Sequence, residues 1–353
     1  MLKRLLLGLV VSAFCIYLGF RNVDFANMWQ ALLTANYLWL LPAVGFMFLS
    51  LWLRAVRWRY FMDPIKKVET PKLFSAMMIG YMGNNVFPLR LGEIMRAYAI
   101  GKSAHVSKAA SFATIIVERI IDLLSLLAIL ALTIFFHKFP HWIENAGWLI
   151  FAGSVGLVVF IIFLMGKTDQ TLRLVDFFLR PLPSRISASA RKILRSFLEG
   201  FAVFKRAEHY WTIIWQSIVM WIAYAGIVYV TLVAFRLDTT YDLPWITSLV
   251  VLVMVSIGIM IPSSPGYVGT YHLLCIQAMA FFSVPDSEAA GFAVVLHVVN
   301  FIPVTIVGLL YFWRENFKIE EATANGELIS PTGLEQQNLS HTANAFKINQ
   351  DTE

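Results

Sequence analysis

Apolar residues along this chain gather into long runs instead of alternating with polar ones. Six runs, residues 5–20, 37–53, 109–136, 148–165, 211–235 and 289–313, come close to the about 17 to 25 residues a helix needs to cross a hydrocarbon core roughly 30 Å thick. Two further apolar stretches, 73–87 and 245–282, are interrupted. The first breaks at Gly83-Asn84-Asn85-Val86-Phe87-Pro88, the second at Pro262-Ser263-Ser264-Pro265-Gly266. Backbone freed by such breaks is tolerated at membrane depth only where it is buried in protein or lines a wet cavity. The first run follows Lys3 and Arg4 and imitates a secretion signal, but no small-x-small cleavage site precedes Arg21 and Asp24, so it reads as a span.

The placement of Lys and Arg converts these runs into a topology. Basic residues crowd at the N-terminus, in 54–72, in 90–108, in 167–206 and after 313, whereas the connections near Arg21, Lys138 and Arg236 carry one each and Pro285-Asp286-Ser287-Glu288 carries none. Cytoplasmic loops hold the excess of positive residues. The pattern predicts an all-α polytopic membrane protein with about six full transmembrane helices and both termini in the cytoplasm. Two opposed re-entrant helical hairpins complete it, one dipping in from each side. Pro88-Leu89-Arg90-Leu91-Gly92 and Pro265-Gly266-Tyr267-Val268-Gly269 share a Pro-x-x-x-Gly pattern, and a span precedes and follows each. This is a weak inverted repeat, of the kind that places a binding site at the midplane. Two unrelated breaks in a chain tolerant of Gly and Pro are the alternative.

Composition agrees: 58% of the 353 residues are hydrophobic and 14% charged, a balance that excludes a soluble domain of this length. The net charge of +6 is spread among short loops, which points to anionic lipid headgroups and away from nucleic acid. Between residues 167 and 210, Leu172, Leu174, Phe177, Phe178, Ile193, Leu194 and Phe197 interleave with Arg173, Arg180, Arg191, Lys192 and Arg195. That predicts amphipathic helices lying on the cytoplasmic leaflet. Residues 1–315 form the membrane domain, and the polar stretch 316–353 reads as a disordered cytoplasmic tail.

Candidate chemistry lies where charge meets the apolar runs. Glu118, Arg119 and Asp122 fall in the middle of the third span. Each charge there costs about 2.5 to 3.5 kcal/mol, so the three demand partners or water. Glu118 and Asp122 share a helix face at i and i+4, and the network either ties helices together or marks a pathway. The first hairpin adds Asn84, Asn85, Arg90, Glu93 and Arg96, the last three at three-residue intervals beside a helix start near Pro88, which suits a phosphate. The second hairpin adds Ser263, Ser264, Tyr267 and His272, polar and uncharged apart from the titratable imidazole. His297, Asn300 and Pro303 read as a kink with interhelical hydrogen bonds, and Arg54, Arg57 and Arg59 with Trp52 and Trp58 as positive-inside charge with an aromatic belt. No Walker loop, paired CxxC, HExxH, GxSxG or dinucleotide fingerprint occurs, so no catalytic residue, metal or cofactor is expected.

Three motifs in this order, Gly80 through Glu93 with Arg96, Glu118-Arg119-Ile120-Ile121-Asp122, and Pro262 through Gly269, resemble the lysylphosphatidylglycerol synthase transmembrane-region family, the flippase-like YbhN group. The resemblance covers about residues 1 to 315. It implies a flippase-like membrane domain such as the one in MprF-type proteins, where a soluble aminoacyl-transferase domain follows; the short polar tail here predicts no lysyl transfer. The expected function is flipping or scrambling of a phospholipid or isoprenoid-phosphate lipid through a hydrated groove between the hairpins, in the bacterial cytoplasmic (inner) membrane. The alternatives are a non-catalytic subunit regulating a lipid synthase or glycosyltransferase, and an intramembrane enzyme acting on lipid phosphate.

Overall fold

The computed structural model describes residues 2–87, 91–136, 210–260 and 263–315, together with 152, 153 and 156. Apart from residues 152, 153, 156 and 210, the expected span at 148–165 and the amphipathic segment 167–210 lie outside the described residues, as do the tail 316–353, Arg90 and Pro262.

Every regular element among the described residues is helical. Helix α1 (Leu2–Phe20) turns by 85° into α2 (Phe25–Thr34). Asp24 makes the corner: one of its carboxylate oxygens accepts from the N–H groups of Ala26 and Asn27, and its own N–H donates to Ser287 Oγ at 2.9 Å. Next come α3 (Leu40–Met62), α4 (Thr70–Val86), α5 (Gly92–Ala104) and α6 (Lys108–Phe136). The remaining helices are α7 (Tyr210–Ala234), the single turn α8 (Leu237–Thr240), α9 (Ile246–Met260), α10 (Thr270–Ala280) and α11 (Asp286–Arg314). Among the described residues three helical stretches are long and apolar enough to cross a membrane, Tyr37–Met62, Tyr210–Ala234 and Asp286–Arg314, and the bent α1–α2 pair makes a fourth if it is one span. Helix α6 has 29 residues and carries its charges in the middle, Asp122 being the fifteenth.

Two boundaries differ from the sequence expectation. The second span does not stop at Leu53 but continues to Met62, because Arg54 and Arg57 face carboxylates inside the protein and have no need to reach water. The first hairpin does not break at Gly83: α4 runs through Gly83, Asn84 and Asn85 to Val86. Asn85 is held there by donating its amide to Thr305 Oγ1 at 2.8 Å, so the asparagine serves a helix contact and not the turn.

The packing has a two-part regularity. Helices α4 and α5 pair as one hairpin, α9 and α10 as another. If α3, α4, α5 and α6 are matched in order with α7, α9, α10 and α11, the contacts match too: α5 rests on α6 as α10 rests on α11, and α3 on α4 as α7 on α9. Across the middle α3 packs on α7, while α4 packs on α11 and α6 on α9. An exchange of halves maps each of these pairings onto another or onto itself, as a two-fold relation requires. Glycine permits the close approaches. A Cβ on Gly92 would collide with the Gly80 carbonyl and with Asn84, so α4 and α5 can touch backbone to backbone. In the second hairpin Gly269 takes φ +97° against the carbonyl of Ser12 on α1.

Candidate functional site

The charged residues inside the bundle divide into a closed core and an open pair. In the core, Glu118 of α6 is wholly buried and accepts from two helices: Arg96 of α5 donates Nη2 to Oε2 at 2.6 Å and Nη1 to Oε1 at 3.2 Å, and Arg54 of α3 donates Nη1 to Oε1 at 2.7 Å. One turn on, Asp122 accepts from Arg57 Nη2 at 2.5 Å and is also bonded by Arg54 Nη1. The i, i+4 spacing of Glu118 and Asp122 thus meets the i, i+3 spacing of Arg54 and Arg57 on the facing helix. Arg57 sends its other Nη to Ser217 Oγ of α7 at 2.8 Å. The Arg96 guanidinium lies 3.7 Å from the centre of the Trp58 ring, and Trp58 donates its indole N–H to Thr114. Forked, charge-assisted hydrogen bonds of this kind offset much of the desolvation cost that an isolated ion would meet.

The open pair is Glu93 on α5 and Arg119 on α6, joined at 3.2 Å, with Arg119 also 3.9 Å from Glu118 and 3.8 Å from Asp122 at the edge of the core. The Arg119 side chain is 42% exposed and that of Glu93 25%, against 0% for Glu118. Both line a cavity of about 210 Å³. Asn84 and Asn85 contribute to the same wall, with Asn84 Nδ2 3.4 Å from Glu93. A second part of the lining comes from the second half: Tyr267 of the hairpin turn, Tyr271 of α10, and His297 and Asn300 of α11. Tyr81 and Tyr224 close it from α4 and α7. Among the described residues of the cluster, Arg54, Arg57, Arg96 and Arg119 stand against Glu93, Glu118 and Asp122, four cations to three anions, leaving one positive charge in excess.

The structure separates the residues that sequence reasoning grouped. Asn84, Asn85, Glu93, Arg119 and Tyr267 meet in the cavity. Arg96, Glu118 and Asp122 are buried behind it, and the two Nη groups of Arg96 are committed to Glu118, so its expected role as a phosphate ligand gives way to an internal ion pair. Ser263 pairs its hydroxyl with that of Thr270 at 3.2 Å, and Ser264 donates its N–H to Ser12 Oγ at 2.9 Å; both hold the hairpin turn and neither lines the cavity. His272 is buried next to the ring of His297, where its Nδ1 faces the Gly269 N–H at 3.4 Å.

Four residues carry more than the sequence reading assigned. Arg54 and Arg57, expected at the membrane edge, are core partners of the carboxylates, and Trp58 is buried against Arg96. The missed signal was numerical: two carboxylates one turn apart in an apolar span call for two cations one turn apart in another, and Arg54 and Arg57 have that spacing. His297, expected to kink α11, lines the cavity and donates or accepts at the Gly266 carbonyl through Nε2 at 2.9 Å.

An all-helical bundle with several apolar helices, an ion-paired interior and a cavity shared by two hairpins defines an integral membrane protein with an internal cavity into which a few polar and charged groups project. The chain belongs to the Lysylphosphatidylglycerol synthase TM region family, which it matches over residues 5–308. It is similar to a UPF0104 membrane protein of Methanothermobacter thermautotrophicus, 26% identical over 298 residues, which cover 79% of this chain and 86% of that protein. It is also similar to a UPF0104 membrane protein of Methanocaldococcus jannaschii, at 21% over 72% of this chain and 78% of the relative. A third similarity, 33% over 89 residues, covers 25% of this chain and 14% of the glycosyltransferase AglD of Haloferax volcanii.

Proposed function

We propose that the protein moves a lipid bearing an anionic phosphate headgroup across the bilayer, with the headgroup passing through the cavity while the acyl or isoprenoid chains stay in the membrane. The observation that carries this is Arg119: a half-exposed guanidinium at the depth of α6's middle, facing a cavity of mixed polar and apolar lining beside a cluster with one positive charge in excess. An intramembrane cation of this kind has a functional role by default. Glu93 holds it in the absence of an anion, and a phosphate displaces that carboxylate. The residues buried behind, Arg54, Arg57, Arg96, Glu118 and Asp122, fix α3, α5 and α6 around the chamber. No bond in the lipid is made or broken.

In this account α4–α5 and α9–α10 are re-entrant hairpins entering from opposite faces, the matched pairings of the two halves are an inverted repeat, and the crossing elements are six spans. Both termini face the cytoplasm, as the distribution of Lys and Arg requires; the setting is a bacterial cytoplasmic membrane. Reconstitution tests the proposal. Purified protein in liposomes is expected to carry fluorescent phospholipids or a polyprenyl phosphate between leaflets, and a whole panel left at the rate of protein-free liposomes would refute it.

A second reading, in which the protein is a non-catalytic subunit serving a lipid-linked glycosyltransferase, draws on the partial similarity to a protein named as a glycosyltransferase. Its test is a stoichiometric enzyme partner on purification from native membrane in mild detergent.

A further inference from the structure

The two walls of the cavity differ in chemistry, and the second wall narrows the substrate. Resting on the proposal that a lipid phosphate passes here, we infer that its headgroup carries a hydroxylated ring, a sugar or cyclic polyol, attached to the phosphate. Arg119 with Glu93, Asn84 and Asn85 forms one wall; Tyr267, Tyr271, His297 and Asn300 form the other. Phenol, amide and imidazole groups each donate and accept hydrogen bonds without bearing charge, which is what a set of hydroxyls needs from its surroundings. Ring faces stand beside those polar groups: Tyr81, Tyr224 and Tyr267 line the cavity, whereas Tyr271 and His297 partly cover each other, with centroids 4.8 Å apart and planes tilted by 32°. Such faces suit the C–H side of a saturated ring while the polar edges take its hydroxyls.

A cationic headgroup fits poorly. Glu93 is the one carboxylate among the described cavity-lining residues, and it is already matched to Arg119 at 3.2 Å. An ammonium would therefore enter a chamber whose remaining charge is of its own sign. Part of the second wall is engaged within the protein, His297 Nε2 with the Gly266 carbonyl at 2.9 Å and the Asn300 amide with the Leu296 carbonyl at 2.8 Å.

Tyr267 is the strongest pointer. It has φ +60°, a left-handed conformation that bulky side chains rarely adopt, between Gly266 at +72° and Gly269 at +97°. The turn is held in that shape by the Gly266 carbonyl's bond to His297, by Ser264 on Ser12, and by the Thr270 hydroxyl on the Tyr267 carbonyl at 3.2 Å. Three separate contacts thus maintain an unfavourable backbone whose result is a phenol in the cavity, and strain kept at such a place is characteristic of ligand-binding residues.

The test compares lipids matched except for the ring. Liposomes with reconstituted protein carry fluorescent phosphatidic acid or phosphatidylinositol in one pair, and a polyprenyl phosphate or its hexosyl derivative in the other, so that glycerolipid and isoprenoid sources are distinguished. The ring-bearing member is expected to move at least about tenfold faster than its partner in one pair or both, because groups built to bond hydroxyls discriminate strongly against ligands that lack them. In Tyr267→Leu, and independently in Asn300→Leu, that ratio falls toward one. Equal rates within both pairs overturn the ring while leaving lipid-phosphate transport standing. If no lipid moves at all, transport itself falls; the ring is then judged by thermal shift of the detergent-solubilised protein. Glycerophosphoinositol should raise the melting temperature more than glycerol 3-phosphate, and equal shifts would refute the inference.

Discussion

The two hairpins occupy matched places in the bundle and solve the same problem with opposite chemistry. The first, α4–α5, is tied by charge: Arg96 and Glu93 on α5 both pair with α6, and behind them lie Arg54, Arg57, Glu118 and Asp122. The second, α9–α10, is tied by neutral hydrogen bonds and ring contacts around Ser263, Ser264, Gly266, Tyr267, Thr270 and His297. A salt-bridged hairpin is rigid because releasing one partner strands a charge in a dry interior. A hairpin held by neutral bonds loses only about 0.5 to 1.5 kcal/mol with each bond. The first is therefore the more strongly tied wall of the cavity, and the second the more weakly tied.

The largest test of this contrast is Glu118→Gln. It removes the negative charge that Arg54 and Arg96 share and turns one of the two acceptor oxygens into an NH2 donor, leaving both guanidinium groups under-compensated, with an expected loss of about 3 to 5 kcal/mol in detergent unfolding. A loss under 1 kcal/mol would show that the ion core is not what holds the first hairpin. Gly92→Ala comes next. The new methyl group meets the Gly80 carbonyl and forces α4 and α5 apart, at about 1 to 3 kcal/mol. Serine there should be as damaging, since the obstacle is size. In the second hairpin His297→Phe keeps a ring and removes the bond to the Gly266 carbonyl, and about 1 kcal/mol is expected, well below Glu118→Gln. A cost equal to that of Glu118→Gln would erase the difference between the hairpins.

The smallest effect belongs outside both hairpins. Tyr241 donates its hydroxyl to Glu288 at 2.7 Å, and burial, followed by that carboxylate, pushes its phenol up to about 12. The group's folded value is raised and its neutral form is the one bonded. Its contribution is therefore complete below pH 10 and disappears as pH rises from 10 toward 12. Tyr241→Phe should differ slightly from wild type in melting temperature at pH 8 and not at all above pH 12. A difference that grows with pH would contradict the assigned bond.

Much of the fold was legible because long apolar runs leave few choices. Five of the six expected spans coincide within a few residues with described helices or, for α3, with the first part of one. Both Pro/Gly breaks separate helices that pack back on each other. The charge pairing was not legible to the same degree. A lysine or arginine near the end of an apolar run looks alike whether it meets water or a carboxylate, so Arg54 and Arg57 were placed at the surface when the structure buries them. The opposite error befell Arg96: its spacing with Glu93 suggested a shared ligand stripe, yet Gly80 lets α5 come so near α4 that Arg96 points into the core. Spacing along one helix identifies which residues share a face. It does not tell which neighbour that face meets.

The central claim is that the charged cluster has a structural part and a working part, and that Arg119 is the working cation. Arg119→Gln in liposomes measures this most directly, with unfolding in detergent recorded on the same preparation. The half-exposed pair with Glu93 at 3.2 Å and the looser contacts with Glu118 and Asp122, at 3.9 and 3.8 Å, contribute about 1 kcal/mol or less each to stability. The variant should therefore unfold close to wild type while its transfer of lipid phosphates falls to the level of protein-free liposomes. Transfer at the wild-type rate by a folded Arg119→Gln protein would contradict the account.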